Sequence, residues 1–312
     1  MILTVTLNPS IDVSYPLDSL TIDGVNRISE VSKTPGGKGL NVSRVLQQLG
    51  GDLVTTGFIG GQFGDFIRHE LDQINLKHDY QNIDGQTRTC IAILHDGGKQ
   101  TEILESGPEI SAQDSQAFKN KFADLAEQAS TITMSGSLPK GLAKDYYNDL
   151  IKIGQDAGAR VLLDTSGQTL TTAVNHPVKP YLIKPNEEEV KAITGSELDL
   201  ADPESIKSAL TDPSLDEIDW LVVSLGKDGA VAKVDDHFYQ VTIPTVQAVN
   251  PVGSGDSTIA GFAKALDDGK PADEVLKTGM TCGVLNAMSS KTGDIDPDQF
   301  DEIYSQVEVE DL

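Results

Sequence analysis

Short apolar runs recur along the chain at 2–7, 53–59, 130–134, 161–164, 181–184 and 220–224, too continuous to alternate between a wet and a dry face. Runs of that length predict strands buried on both faces of a parallel sheet. Helical periods lie between them: Val42, Val45, Leu46 and Leu49 form one stripe, and Phe63, Phe66, Ile67 and Ile74 form another. Alternating strands and helices predict an α/β fold with a doubly wound, mostly parallel sheet flanked by helices. Ligands of such sheets bind beyond the carboxyl ends of the strands. Asn8, the Ser135-Gly136-Ser137 segment, the Lys184-Pro185-Asn186 segment, the Ser224-Leu225-Gly226 segment and the turn at Gly253 all fall there. Five polar or glycine-bearing segments therefore meet on one rim.

Two regions break this rhythm. Residues 12–34 and 86–105 alternate like strands, with Arg88, Cys90, Ala92 and Leu94 set against Thr89, Ile91 and Ile93, and a turn at His95, Asp96, Gly97 and Gly98 leads into 100–105. They predict antiparallel hairpins outside the main sheet, inserted twice into a single domain spanning 1–312. A small antiparallel β-sheet at the ligand end serves as a lid, and its half-apolar face needs a second subunit or the substrate to cover it. A homodimer through the lid is the expected assembly.

Composition narrows the partners. The 312 residues include 48 acidic and 24 basic ones, a formal charge of −24, and that field repels nucleic acid and anionic membranes. A polyanionic small molecule would have to be met locally, by helix N-termini, a few Lys and Arg, and a divalent cation. Two cysteines without a CxxC pair and five scattered histidines predict neither a disulfide framework nor a structural metal. The run 2–7 leads directly to Asn8 and Pro9 without a basic region before a long apolar core, so a cytoplasmic location is expected.

The segment Asn250-Pro251-Val252-Gly253-Ser254-Gly255-Asp256 runs into the apolar-periodic stretch 259–266. A Gly-x-Gly turn opening a helix aims unpaired N–H groups at one spot beside the positive end of the helix dipole, and that spot attracts an anion. A carboxylate there, Asp256, suits removal of a proton from an alcohol that attacks a phosphoryl group; the plainer reading is an Asp favoured by the dipole. The chain carries no G-x-x-x-x-G-K-[ST] and no G-x-G-x-x-G, which speaks against a P-loop NTPase and against a dinucleotide oxidoreductase. Gly36, Gly37, Lys38 and Asn41 open another helix, either as a plain turn with Lys38 in water or as a close backbone approach to a polyhydroxylated ligand. Asp12 can accept hydrogen bonds from sugar hydroxyls, and Arg88 in the lid can grip a phosphate. Asn186 and Glu189 have the spacing of a capping box, and equally of a pair that holds Mg²⁺ through water. The turn from Ser224 through Gly226 to Gly229 either joins two strands or flanks a nucleotide.

Three of these segments in order, Gly36-Gly37-Lys38-Gly39-Leu40-Asn41, Asn186 with Glu189, and Asn250 through Ser257, resemble the motifs of the ribokinase/PfkB carbohydrate-kinase family across essentially the whole chain. Ser254 stands where many members have Ala. The resemblance implies a ribokinase-like fold, ATP as co-substrate and Mg²⁺. It implies Asp256 as general base, with the amides of Gly253, Ser254, Gly255 and Asp256 forming an anion hole. It places Asp12, Gly36, Gly37, Lys38, Asn41, Arg88 and Ser137 on a sugar phosphate, and Lys184, Ser224, Gly226, Gly229, Gly253, Gly283 and Asn286 around the nucleotide. The opening 6–12 and the stretch 34–46 are similar to the hexose-phosphate branch. The stretches 15–18, 90–95 and 102–108 narrow the resemblance to transfer onto C1 of D-tagatose 6-phosphate, giving the 1,6-bisphosphate within lactose or galactose breakdown. Phosphorylation of fructose 1-phosphate is the alternative, and a non-catalytic sugar-phosphate-binding regulator is a third reading from another class.

Overall fold

The computed structural model describes residues 1–195, 199–200 and 202–312. From the N-terminus, β1 (Ile2–Thr6) is followed by β2 (Ser10–Pro16), β3 (Ser32–Gly36), α1 (Lys38–Gln48), β4 (Leu53–Ile59), α2 (Gly61–Gln73), β5 (Gln81–Asn82), β6 (Arg88–His95) and β7 (Lys99–Leu104). Then come α3 (Ala112–Ala126), β8 (Thr131–Ser135), α4 (Tyr146–Asp156), β9 (Arg160–Asp164), α5 (Gly167–Asn175), β10 (Leu182–Ile183), α6 (Glu187–Thr194) and α7 (Pro203–Leu210). The chain closes with β11 (Trp220–Ser224), β12 (Ala230–Val234), β13 (His237–Thr242), α8 (Ser254–Asp267), α9 (Ala272–Met288), α10 (Phe300–Gln306) and β14 (Glu308–Asp311).

The large sheet has the order β14-β13-β12-β11-β10-β9-β8-β1-β4-β5. Its pairs are parallel from β11 to β5, and β12, β13 and β14 add an antiparallel edge. Successive residues of one strand enter different cores. Leu3 and Leu163 pack with Phe118 and Phe122 of α3 and Leu150 of α4, whereas Ile2 and Leu162 pack with Val45 and Leu46 of α1 and Phe262 of α8. Each such side chain contributes roughly 1.5–3 kcal/mol relative to exposure, which is why the runs are apolar on both faces. The first predicted helical stripe forms as α1. In the second, Ile67 is buried, Phe63 and Phe66 are half-buried and Ile74 is exposed, because α2 ends at Gln73. Among the described residues, no helix is long and apolar enough to cross a membrane.

The second sheet has the order β3-β2-β6-β7 and carries the strands expected at 12–34 and 86–105. Its outer pairs are antiparallel, as predicted, but the central pair β2 with β6 is parallel. Between those two strands the chain passes through α1, β4, α2 and β5 of the main fold, so both leave the same rim and run outward together. The prediction of a wholly antiparallel lid is corrected at this pair. Beyond the pairing, Ile22, Val25, Ile103 and Leu104 are strongly exposed.

Candidate active site

Gly253 is the N-cap of α8 and has φ 87°, in the left-handed region. A Cβ there would lie 2.7 Å from Thr292 Cγ2 and 2.9 Å from the Gly293 amide nitrogen, so only glycine fits. Asn286 of α9 braces the turn: its Nδ2 donates to the Val252 carbonyl at 2.9 Å and to Ser254 Oγ at 3.3 Å, and its Oδ1 accepts from the Gly293 amide at 2.9 Å and from Ser257 Oγ at 3.1 Å. The Ser254 amide already donates to the Pro251 carbonyl at 3.2 Å, which narrows the expected anion hole. The amides of Gly255 and Asp256 are first-turn groups without a helical acceptor. Lys184 lies over them, its Nζ 3.0 Å from where a Cβ of Gly255 would stand. Open helical amides beneath an ammonium form a site for an anion.

Beside this turn lies a buried acid–base cluster. Asp256 is 6% exposed and its Oδ2 accepts from Asn41 Nδ2 at 2.7 Å. Asn41 Oδ1 in turn accepts from Arg44 Nη2, and the Arg44 guanidinium also donates to the carbonyls of Pro35 at 2.7 Å and Thr292 at 3.2 Å. The amide of Asn41 is thereby fixed with its nitrogen toward Asp256. Asp164, last residue of β9, is equally buried and accepts from Lys38 Nζ at 3.2 Å. Its carboxyl is within hydrogen-bonding reach of Asp256. Burial and the negative charge of Asp164 push the Asp256 carboxyl up to about 7, against the pull of Lys38, Asn41 and Lys184. Burial pushes Asp164 up as well, but Lys184 and Lys38 outweigh it and hold that carboxyl below the ordinary 3.8. Two carboxylates in one dry site thus sit on opposite sides of their usual value, with the proton belonging to Asp256. Burial would lower Lys38, yet Asp164 and Asp256 keep it charged while its side chain stays 43% exposed. Lys38 thus meets water along part of its side chain while its ammonium pairs with Asp164.

The expected sugar-phosphate residues gather at the base of the lid. Asp12 on β2 accepts from Ser10 Oγ at 2.6 Å, and burial raises its carboxyl. Its carboxyl carbon is 2.0 Å from where a Cβ of Gly36 would be, so the glycine lets strand and carboxylate meet. Gly37, φ 108°, turns the chain from β3 into α1 and presents Lys38 and Asn41 inward. Arg88, first residue of β6, donates to the carbonyls of Asn8 at 3.1 Å and Glu105 at 3.0 Å, and Ser137 Oγ accepts from Asn8 Nδ2 at 3.3 Å.

On the other side, Lys184 and Ser224 meet at the strand ends, where Ser224 donates to the Pro185 carbonyl from its amide at 2.9 Å. Gly226 is exposed with open space around it. Three further residues expected around the nucleotide make contacts within the protein. Gly229 is buried against the Val241 carbonyl of β13, Gly283 against Thr258 of α8, and Asn286 has both polar atoms engaged by the Gly253 turn. Asn186 and Glu189 form the capping box of α6, with Glu189 N donating to Asn186 Oδ1 at 2.9 Å and Asn186 N to Glu189 Oε2 at 3.0 Å. The charge of Glu189 adds a smaller pull that favours the charged form of Lys38.

Asp164 and Arg44 were missed by sequence reasoning, as was the bridging part played by Asn8. The one available signal for Asp164 was an acidic residue closing an apolar parallel strand at the ligand rim.

Compared with known proteins, the chain matches the family model of the pfkB family carbohydrate kinases over residues 5–299. A Staphylococcus aureus protein provisionally assigned as a phosphofructokinase is 29% identical, with a TM-score of 0.86 over 100% of this chain and 99% of that one. Phosphofructokinase-2 from Escherichia coli, in complex with potassium, is 26% identical with a TM-score of 0.88 over 97% of this chain and 98% of that one. The same enzyme in complex with fructose-6-phosphate is 25% identical with a TM-score of 0.87, over the same shares of the two chains.

Proposed function

The chain belongs to the pfkB family of carbohydrate kinases and is an ATP-dependent sugar-phosphate kinase, and from that premise we propose that it transfers the terminal phosphoryl group of ATP to the C1 hydroxyl of D-tagatose 6-phosphate. The products are ADP and D-tagatose 1,6-bisphosphate. The observation that carries the reading is the Asp256 carboxylate, aimed by Asn41 at the mouth of the Gly253 turn with Lys38 and Lys184 on either side.

In the proposed reaction the hydroxyl oxygen attacks phosphorus, the bond to the leaving ADP oxygen breaks, and the hydroxyl proton passes to Asp256. Asn41 holds the accepting oxygen in place. Lys184 and the amides of Gly255 and Asp256 meet charge that builds on the phosphoryl oxygens. Lys38 and Arg88 hold the 6-phosphate, Asp12 and the backbone at Gly36 and Gly37 meet the sugar hydroxyls, and Ser137 closes the pocket. Asn186 and Glu189 would hold Mg²⁺ through water, and the bound ion would neutralise charge on the phosphate oxygens. Their chemistry fits a hydrated ion, since Asn186 Oδ1 and Glu189 Oε2 already accept from each other's backbone amides and would reach it through water. Among the described residues no group of three His, Cys, Asp or Glu ligands could hold a metal ion.

The exposed apolar residues of the lid support a homodimer in which a second copy covers Ile103 and Leu104. A tetrameric inhibited form is described for the E. coli enzyme, so further association of such chains has a precedent.

The test is an ADP-release assay with ATP and Mg²⁺, comparing kcat/KM for tagatose 6-phosphate, fructose 6-phosphate and fructose 1-phosphate. Preference for tagatose 6-phosphate is the expected result. Preference for fructose 1-phosphate would move transfer to C6 with the same residues in the same roles, and binding without turnover would leave a regulator.

A further inference from the structure

Asn8 lies on the stem between β1 and β2 and is 6% exposed. Three segments converge on it. Its Nδ2 donates to the Ser106 carbonyl, just after β7, and to Ser137 Oγ, just after β8, each at 3.3 Å. Its backbone carbonyl accepts from Arg88 Nε at 3.1 Å, at the foot of β6. The chain after β7 rests directly on the carboxamide: Gly107 has φ 86°, and a Cβ there would be 2.2 Å from Asn8 Oδ1. That oxygen is buried without a hydrogen-bond partner. The amide cannot relieve it by turning over, because its oxygen would then face the Ser106 carbonyl. A buried acceptor left unpaired destabilises the fold, so the arrangement persists at a cost in stability that nothing local repays.

We propose that Asn8 is a positioning residue of the phosphoryl-transfer reaction, tying one lid stem to the main sheet so that Ser137 and Arg88 face the sugar phosphate together. The proposal rests on the assignment of Ser137 and Arg88 to that substrate. With the side chain cut back to alanine, the Ser106 carbonyl and the Ser137 hydroxyl lose their shared donor and both segments are freed from each other. The sugar-phosphate pocket then has to be assembled on binding, which raises KM for that substrate and leaves the chemistry at Asp256 alone.

The experiment is steady-state kinetics with both substrates varied, on Asn8→Ala, Ser137→Ala and the double variant. Asn8→Ala should raise KM for the sugar phosphate about tenfold, the effect of roughly one and a half neutral hydrogen bonds. Turnover and KM for ATP should stay within about twofold. In the Ser137→Ala background the same change should cost about threefold or less, because part of its effect runs through that hydroxyl. Equal losses in turnover and in both Michaelis constants would mean a general structural role and would overturn the proposal. An unchanged KM in Asn8→Ala beside a raised one in Ser137→Ala sinks the proposal alone. An unchanged KM in Ser137→Ala removes Ser137 from the substrate site and takes the proposal with it. Should the alanine variant fail to accumulate, Asn8→Ser is too short to reach Ser106 and must show the same split.

Discussion

Replacing Asp256 with Asn should make the protein more stable in mildly alkaline solution while nearly abolishing its turnover. In the folded chain the Asp256 carboxyl is raised from 3.8 to about 7, first by burial and then by the charge of Asp164. Between those two values the folded state keeps a proton that the unfolded chain has released. Stability therefore falls as pH rises through that interval, by about 1.4 kcal/mol per pH unit, and the penalty is complete above about pH 7. The full shift corresponds to about 4 kcal/mol, a ceiling for the gain on substitution. The substituted amide is isosteric: its oxygen can accept from Asn41 and its nitrogen can donate to Asp164. Urea unfolding of both proteins across the range from about pH 5 to 8.5 should show the variant ahead by a few kcal/mol at the alkaline end, the lead shrinking to about 1–2 kcal/mol at pH 5. Turnover should fall by about two to four orders of magnitude, the usual contribution of a general base. A lead that does not change with pH, or a variant less stable than the parent at pH 8.5, would refute the strained ionisation of Asp256. Near-normal turnover would remove it as the base.

The same cluster fixes the pH dependence of the reaction. Asp256 must be ionised to accept a proton, so kcat/KM should rise as pH increases through about 7. Asp164→Asn removes the second of the two causes that raise it and frees Lys38, so that limb should move to lower pH by about one unit or more; an unmoved limb would show that the two carboxyls do not communicate. At the lid, Leu104→Glu should convert a dimeric mass in light scattering to a monomeric one, and a parent protein already monomeric would exclude the lid dimer.

The main sheet was legible because its strands are dry on both faces, and Leu162 and Leu163 each need an apolar partner from a different layer. The lid was legible as alternating strands but not in its central pairing, since the period of two in β2 and β6 is the same whichever way the strands run. The turn at Gly253 stands out because few residues tolerate its backbone, whereas Asp164 reads as the polar end of an ordinary strand until Lys38, over a hundred residues earlier, is folded against it. Asn286 and Gly283 are placed on the nucleotide by resemblance alone, and their bracing of the Gly253 turn and of Thr258 becomes visible only once α9 packs on α8. Asn186 and Glu189 satisfy the helix-capping reading in full, as their spacing allows.

The parallel pair at the centre of the lid has a mechanical corollary. Both strands are rooted at the same rim and project from it like two tines, so any tilt of the small sheet turns about its roots. Displacement grows with distance from that axis. Asp12 is the third residue of β2 and Arg88 the first of β6, whereas the turn at Gly97 and Gly98 follows the far end of β6. At about 3.3 Å per residue, that turn stands about 20–25 Å beyond Arg88. A tilt of about 10° would carry the tip about 4 Å and shift Asp12 by about 1 Å. Asp12 and Arg88, which we propose to meet the sugar phosphate, stand near the fulcrum and the exposed turn at the end of the lever, so such a tilt would open the tip widely while scarcely moving those two residues.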